Sequence, residues 1–241
     1  MFDHLTIRVS DRAASERFYD TVLATLGIEN TNADESFVEW GDFSLTEPGA
    51  DEHVTERLHV GFVAPTREHV EEFWRVGTEA GYRSDGKPGP RPEYGDDYYG
   101  AFLLDPDGNS AEAVHHDSLR EGGGVDHVWL RVADVASARD FYEMIAPHAR
   151  FSLDTDVPER AQFAGDTGSF SVVAGEPTVG LHMAFPAADA DRVHEFHAAA
   201  MGAGYRDNGG PGPRPEYGEG YYAAFVLDPD GNNIELVHHG S

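Results

Sequence analysis

Residues 82–116 read YRSDGKPGPRPEYGDDYYGAFLLDPDGNSAEAVHH, and residues 205–239 read YRDNGGPGPRPEYGEGYYAAFVLDPDGNNIELVHH. Laid over one another without a gap, at an offset of 123, the two stretches are identical at 25 of 35 positions. The same offset carries Asp3-His4 onto Asp126-His127, Arg8-Val9 onto Arg131-Val132, Phe18-Tyr19 onto Phe141-Tyr142 and Leu58-His59 onto Leu181-His182. Self-similarity at one period along the whole chain means one unit written twice. Two domains are expected, 1–118 and 125–241. Leu119-Arg120-Glu121-Gly122-Gly123-Gly124 lies between them, and its glycines predict a flexible joint reaching at most ~20 Å.

Inside a half, His4 to Val9 alternates polar and apolar, the period of a half-buried strand with Leu5, Ile7 and Val9 on one face and His4, Thr6 and Arg8 on the other. Apolar residues at Ala14, Phe18, Val22 and Leu26 follow at helical spacing, with Asp11 as N-cap. Strand-like runs at 37–40 and 43–46 close a first module, which has room for one more strand. A second module begins at once: strand 58–63, helix 66–80, strand 98–104 and a last strand 110–115 entered through the Asp105-Pro-Asp-Gly-Asn109 turn. The pattern predicts an α+β protein of four βαβββ-like modules.

Length and composition limit what such a protein does. With 241 residues and 40% hydrophobic residues the chain can bury a sizeable core. Lys and Arg number 17 against 44 Asp and Glu, and a net charge of -27 repels nucleic acid and anionic membranes alike. No cysteine is present, so a metal must rest on His, Asp or Glu. The first residues, MFDHLTIRVSD, lack the basic and apolar regions of a signal peptide, and no run is long enough to span a membrane. A cytoplasmic protein is expected, either a monomer with an internal pseudo-dimer or a homodimer.

His4, His59 and Glu112, and their copies His127, His182 and Glu235, fall at strand positions of one structural type. If paired modules curl into a cup, two imidazoles and one carboxylate converge inside it. That facial set suits one divalent metal per domain, Fe(II) first, with Ni, Mn, Co or Zn also compatible. Its open positions would let adjacent oxygens of a small substrate reach the ion as a Lewis acid. The same residues would also recur as hydrogen-bonded polar groups copied with the gene. Arg8 and Arg131 share the face of the histidines, where they would bind a substrate carboxylate or pair with an acid of the cup. Arg-Pro-Glu-Tyr-Gly at 91–95 and 214–218 reads as a lid or as a rigid turn. One member of each doublet, His115-His116 and His238-His239, would face inward, and His116 and His239 are candidate acid-base groups.

Paired βαβββ modules, a first-strand His followed by a helix ending in Phe-Tyr, and a closing D-P-D-G-N-x-x-E hairpin resemble the vicinal oxygen chelate superfamily over nearly the whole chain. That group includes glyoxalase I, extradiol dioxygenases and bleomycin-resistance proteins. The resemblance implies four modules paired into two cup-shaped half-barrels, with His4, His59, Glu112, His127, His182 and Glu235 as metal ligands. It also implies a metal-dependent dioxygenase or a glyoxalase-like lyase or isomerase. A third implied activity is metal-free binding of a small aromatic ligand in a cup lined by Trp40, Tyr98 and Trp129. Glyoxalase I-like proteins carry a further Glu where this chain has Ser44 and Ser171, which tilts the reading toward dioxygenase chemistry and leaves both serines as substrate-binding candidates. Extradiol dioxygenases place a His ahead of the closing hairpin, where this chain has none. Tyr98, Tyr99, Tyr221 and Tyr222 are the candidates to replace it, with Tyr99 and Tyr222 taken as catalytic. Modules pairing within each half, as the dioxygenase resemblance suggests, group His4 with Glu112. Pairing across halves groups His4 with His182 and Glu235, and His127 with His59 and Glu112.

Overall fold

The structure is a computed structural model that describes residues 1–34 and 36–240. The first half runs β1 (His4–Arg8), α1 (Arg12–Leu23), β2 (Asn32–Ala33), β3 (Phe37–Trp40), β4 (Phe43–Thr46), β5 (Leu58–Val63), α2 (Arg67–Glu79), β6 (Arg83–Pro90), β7 (Tyr99–Leu104) and β8 (Ser110–His115). The second repeats it as β9 (Val125–Val132), α3 (Val135–Ala149), β10 (Phe151–Val157), β11 (Arg160–Gly165), β12 (Ser169–Ala174), β13 (Leu181–Pro186), α4 (Ala190–Gly202), β14 (Arg206–Pro213), β15 (Tyr221–Leu227) and β16 (Asn233–His239). The strands form two eight-stranded sheets, ordered β14-β15-β16-β13-β1-β4-β3-β2 and β10-β11-β12-β9-β5-β8-β7-β6. Four βαβββ modules in a mixed α+β fold are therefore present. The short β2 is the extra strand for which the first module had room.

The chain divides into two compact units, Met1–Leu5 with Leu130–Ser241, and Thr6–Trp129. In the first, the start of β1 lies beside β13, and Asp3 N–H donates to Ala184 O at 2.9 Å. In the second, β9 lies beside β5, and Val63 N–H donates to Gly124 O at 2.9 Å. Modules thus pair across the halves, which corrects the expectation of pairing within them. The two first strands carry the same alternation and the same Asp-His pair, so nothing local tells β5 which copy to accept. The short joint from β8 brings β9 to it.

That joint is pinned, contrary to the flexible linker expected from its glycines. Arg120 is buried and its guanidinium is paired with Asp42. It also donates to Val125 O at 2.7 Å, while Asp42 Oδ1 accepts from Gly124 N at 2.8 Å and Val125 N at 3.1 Å. A Cβ at Gly123 would stand 2.4 Å from Asp42 Oδ2, so glycine serves close approach here rather than mobility.

The Asp-Pro-Asp-Gly-Asn turn is a clamp as well as a hairpin. Asp105 Oδ1 accepts from Asp107 N and Asn109 N at 3.0 and 2.8 Å, and Gly108 supplies the required φ of +90°. Asn109 then reaches across to accept from Leu58 N at 3.1 Å and donate to Thr55 O at 2.8 Å, which fixes the entry to β5 one residue before His59. Tyr19 of α1 donates to Asp105 Oδ2 at 3.0 Å. Asp228, Asn232, Leu181, Thr178 and Tyr142 repeat this arrangement before His182. The Phe-Tyr pair and the closing hairpin are two ends of one hydrogen-bonded device, and their other partner is the strand that carries a histidine.

Two strands escaped the sequence reading. β6 and β14 hold Lys-Pro-Gly-Pro and Gly-Pro-Gly-Pro, which look like loop. Each lies at the edge of its sheet, where a proline forfeits no ladder bond, and the pairings to β7 and β15 shift register at Gly86 and Gly209. The Arg-Pro-Glu-Tyr-Gly segments follow as tight turns, with Tyr94 N donating to Arg91 O at 2.9 Å and Tyr217 N to Arg214 O at 3.0 Å.

Candidate metal centres

Two three-residue clusters form, His4 with His182 and Glu235, and His59 with Glu112 and His127. In each, the potential ligand atoms all lie within 4.8 Å of one another. Each cluster falls wholly within one compact unit. The residues singled out from sequence are the ones that meet, but His4 joins Glu235 and not Glu112.

In the first cluster, His182 Nε2 lies 2.8 Å and His4 Nε2 3.5 Å from the same oxygen of Glu235. In the second, His59 Nε2 and His127 Nε2 lie 3.0 and 3.3 Å from Glu112 Oε2, and 3.2 Å from one another. Both glutamates are buried, Glu235 at 0% and Glu112 at 1% exposure. Tyr98 donates to Glu112 Oε1 at 2.9 Å and Tyr221 to Glu235 Oε1 at 2.6 Å, so each carboxylate keeps a single oxygen turned to its histidines. Burial, then the neighbouring carboxylate, pushes both phenols well above the ordinary tyrosine range, and they remain protonated donors.

The residue before each first-strand histidine completes the set. Asp126 Oδ2 lies 3.0 Å from His127 Nδ1 and 3.2 Å from His116 Nε2. Asp3 bonds His4 Nδ1 at 2.8 Å through one oxygen and His239 Nε2 at 2.9 Å through the other. A carboxylate on Nδ1 sets the tautomer so that Nε2 faces the cluster, the usual support of a metal-binding imidazole. Burial opposes ionisation of Asp126 and Asp3, but the histidines outweigh it and hold both below the ordinary carboxylate range. Burial likewise disfavours a charged His127. The bonds to Asp126 and Glu112 prevail and raise it to about 10. Glu112 is held at about 2, because its two histidines outweigh burial. Asp3 and Asp126 were not among the residues singled out from sequence, although an Asp-His pair repeated at the offset was the available signal.

Alternation along β7 and β15 decides between adjacent tyrosines. Tyr98 and Tyr221 face the clusters, whereas Tyr99 and Tyr222, taken as catalytic, turn to the helices and bond Glu71 at 3.0 Å and His194 at 2.8 Å. His116 and His239 do join the sites, each through an aspartate. Arg8 pairs with Glu52 at 2.5 Å, an exposed acid outside the strands and outside both clusters, and Arg131 is exposed. Ser44 is buried and shares a 2.8 Å hydrogen bond with Thr6. Ser171 is buried with its hydroxyl unpartnered among the described residues. Trp40, expected in the cup wall, is a core residue with 0% exposure whose Nε1 donates to Asp20 at 2.9 Å.

The clusters are not copies in detail. Gly61 pairs with Glu112 in the β5–β8 register, and a Cβ there would stand 2.2 Å from His127 Cε1. The equivalent β13 residue is Ala184, opposite Glu235. The imidazoles of His59 and His127 stack at 25°, while those of His4 and His182 meet edge-on at 77°. Gly61→Ala is expected to displace His127 and lower metal content by one equivalent, measured by plasma mass spectrometry. Two retained equivalents would show that the close approach is unimportant.

The Glyoxalase/Bleomycin resistance protein/Dioxygenase superfamily model matches residues 1–113 and again 124–236. Glyoxalase I from Zea mays is similar in structure, with a TM-score of 0.71 and 21% identity over 99% of this chain and 92% of that one. A proposed dioxygenase from Bacillus subtilis subsp. subtilis str. 168 gives 0.68 and 16%, covering 100% of this chain and 85% of that one. At these identities the likeness is one of fold. No curated protein matches by sequence. Two consecutive matches to one model, on a fold shared end to end with those structures, mean that the chain belongs to the Glyoxalase/Bleomycin resistance protein/Dioxygenase superfamily.

Proposed function

We propose that this protein is a divalent-metal-dependent enzyme acting on a small molecule through two adjacent oxygens, with dioxygenase-type chemistry. One observation carries the reading: two buried His-His-Glu clusters, each backed by an aspartate on a histidine Nδ1 and a tyrosine on the carboxylate. The donor set, two neutral nitrogens and one carboxylate oxygen, suits Fe(II), Mn, Co, Ni or Zn and leaves coordination positions for substrate. Fe(II) is the first choice. When bound, such an ion supplies Lewis acidity to chelating substrate oxygens.

The chain's own groups do the rest. Asp126 and Asp3 orient His127 and His4. Tyr98 and Tyr221 occupy one carboxylate oxygen and so limit Glu112 and Glu235 to one ligand bond each. His116 and His239 contact those aspartates from the side away from the clusters and are candidate proton carriers for the sites. A serine at positions 44 and 171, where a glyoxalase would carry a further carboxylate, favours oxygenase over isomerase chemistry. Ring cleavage of a catechol inserts both atoms of dioxygen into the product and calls for no added reductant.

Fe(II)-loaded protein in aerated buffer is therefore expected to consume oxygen with at least one of a panel of substituted catechols, followed with an oxygen electrode. Silence across the panel, with metal bound, would count against oxygenase chemistry. Methylglyoxal-type lyase assays would then come next.

A further inference from the structure

The two clusters differ most in what stands beside them. Trp129 lies two residues beyond His127 on the same face of β9, half-buried, its ring centroid 6.3 Å from His59 at a steep angle. Tyr94 packs edge-on against Trp129 at 5.7 Å and lies 5.2 Å from Tyr98, whose hydroxyl returns to Glu112. An unbroken run of rings, His59, Trp129, Tyr94 and Tyr98, thus begins and ends on the cluster. Tyr94 is 49% exposed, so solvent reaches this wall. At the 123-residue offset the tyrosines persist as Tyr217 and Tyr221, 5.3 Å apart, but Trp129 becomes Thr6. Thr6 shares a hydrogen bond with Ser44, and the strand that carries His4 has no ring at that position.

An exposed wall of aromatic edges and faces beside a chelating centre favours a planar ring, which it meets in the offset or edge-on geometries that aromatic pairs prefer. We propose that the two centres divide the substrate range. The His59–Glu112–His127 centre takes chelating ligands whose adjacent oxygens are borne on or next to an aromatic ring, held against Trp129 and Tyr94. The His4–His182–Glu235 centre takes small aliphatic chelators without preference for a ring. This assignment rests on the metal-chelate reading above.

Benzohydroxamate and acetohydroxamate present the same pair of chelating oxygens and differ only in the ring, so they test it by calorimetry on metal-loaded, full-length protein. Glu235→Gln isolates the Trp129 centre, and Glu112→Gln isolates the other. At the Trp129 centre benzohydroxamate is expected to bind about tenfold or more tighter than acetohydroxamate, the size of an aromatic pair contribution with ring burial. At the other centre the ratio stays within about threefold on the same scale. Trp129→Thr, made in the Glu235→Gln protein, should bring the first ratio down to the second. Tyr94→Ala, at a position 49% exposed, should lower it part of the way. Equal ratios at both centres, or a ratio indifferent to both wall substitutions, would overturn the assignment while leaving the chelate reading in place. Protein that takes up no metal would overturn both.

Discussion

Glu112→Gln is expected to take the protein from two equivalents of divalent metal to one, with apparent affinity at the His59 centre falling at least ~100-fold. One oxygen of this buried carboxylate lies within 3.3 Å of the Nε2 atoms of both imidazoles, so a neutral amide removes the negative charge on the side where an ion would sit. Glu235→Gln should do the same to the other centre, and the double variant should hold no metal by plasma mass spectrometry. Two equivalents surviving in the double variant would place the ions elsewhere. Proton coupling provides an independent check. Without metal, His127 keeps its proton up to about 10, and that proton must leave before Nε2 can bind an ion. Loading at this centre should therefore strengthen about tenfold per pH unit between about pH 7 and 9 and release a proton, seen by calorimetry in buffers of different ionisation enthalpy. The stability linkage has the same sign. A histidine raised above its unfolded value near 6.5 stabilises the metal-free fold fully below that value and ceases to do so as pH rises through about 10. Metal-free protein should thus lose stability across that window, and metal-loaded protein should not.

Asp42→Ala is the substitution expected to cost most in folding. It leaves the buried Arg120 guanidinium without its carboxylate and strips the acceptor from Gly124 N and Val125 N. Removing one member of a buried pair costs about 3–5 kcal/mol, a large part of the stability of an ordinary domain. Urea unfolding should show the midpoint falling accordingly. Arg120→Met combined with Asp42→Leu should recover much of the loss, because replacing both charges removes the unpaired ion. A loss below about 1 kcal/mol for Asp42→Ala would mean that the joint is solvated and that its ion pair behaves as a surface one.

Both predictions turn on residues that sequence reading weighed unequally. The duplication, the four modules, the helices and the six cluster residues were all legible, because periodicity and a long internal repeat are local properties of the chain. The closing hairpin was legible for the same reason, since Pro, Gly and Asn at fixed offsets admit few backbone conformations. What the chain's order could not express was choice between equivalent copies. β1 and β9 offer β5 and β13 the same alternating face and the same Asp-His pair. The tertiary structure decides between them through the short pinned joint and through Gly61, whose missing side chain admits the ring of His127. Tyr98 over Tyr99 and Tyr221 over Tyr222 were likewise open, because in a doublet one residue faces each way and only the sheet register says which. Arg120 looked like a linker residue until burial gave it a partner 78 positions away. β6 and β14 looked like loop until an edge position excused their prolines. Residue types and their spacing determined which chemistry this chain could host. Long-range packing determined which atoms meet to host it, because contacts between distant segments depend on the whole fold and leave no mark on local sequence.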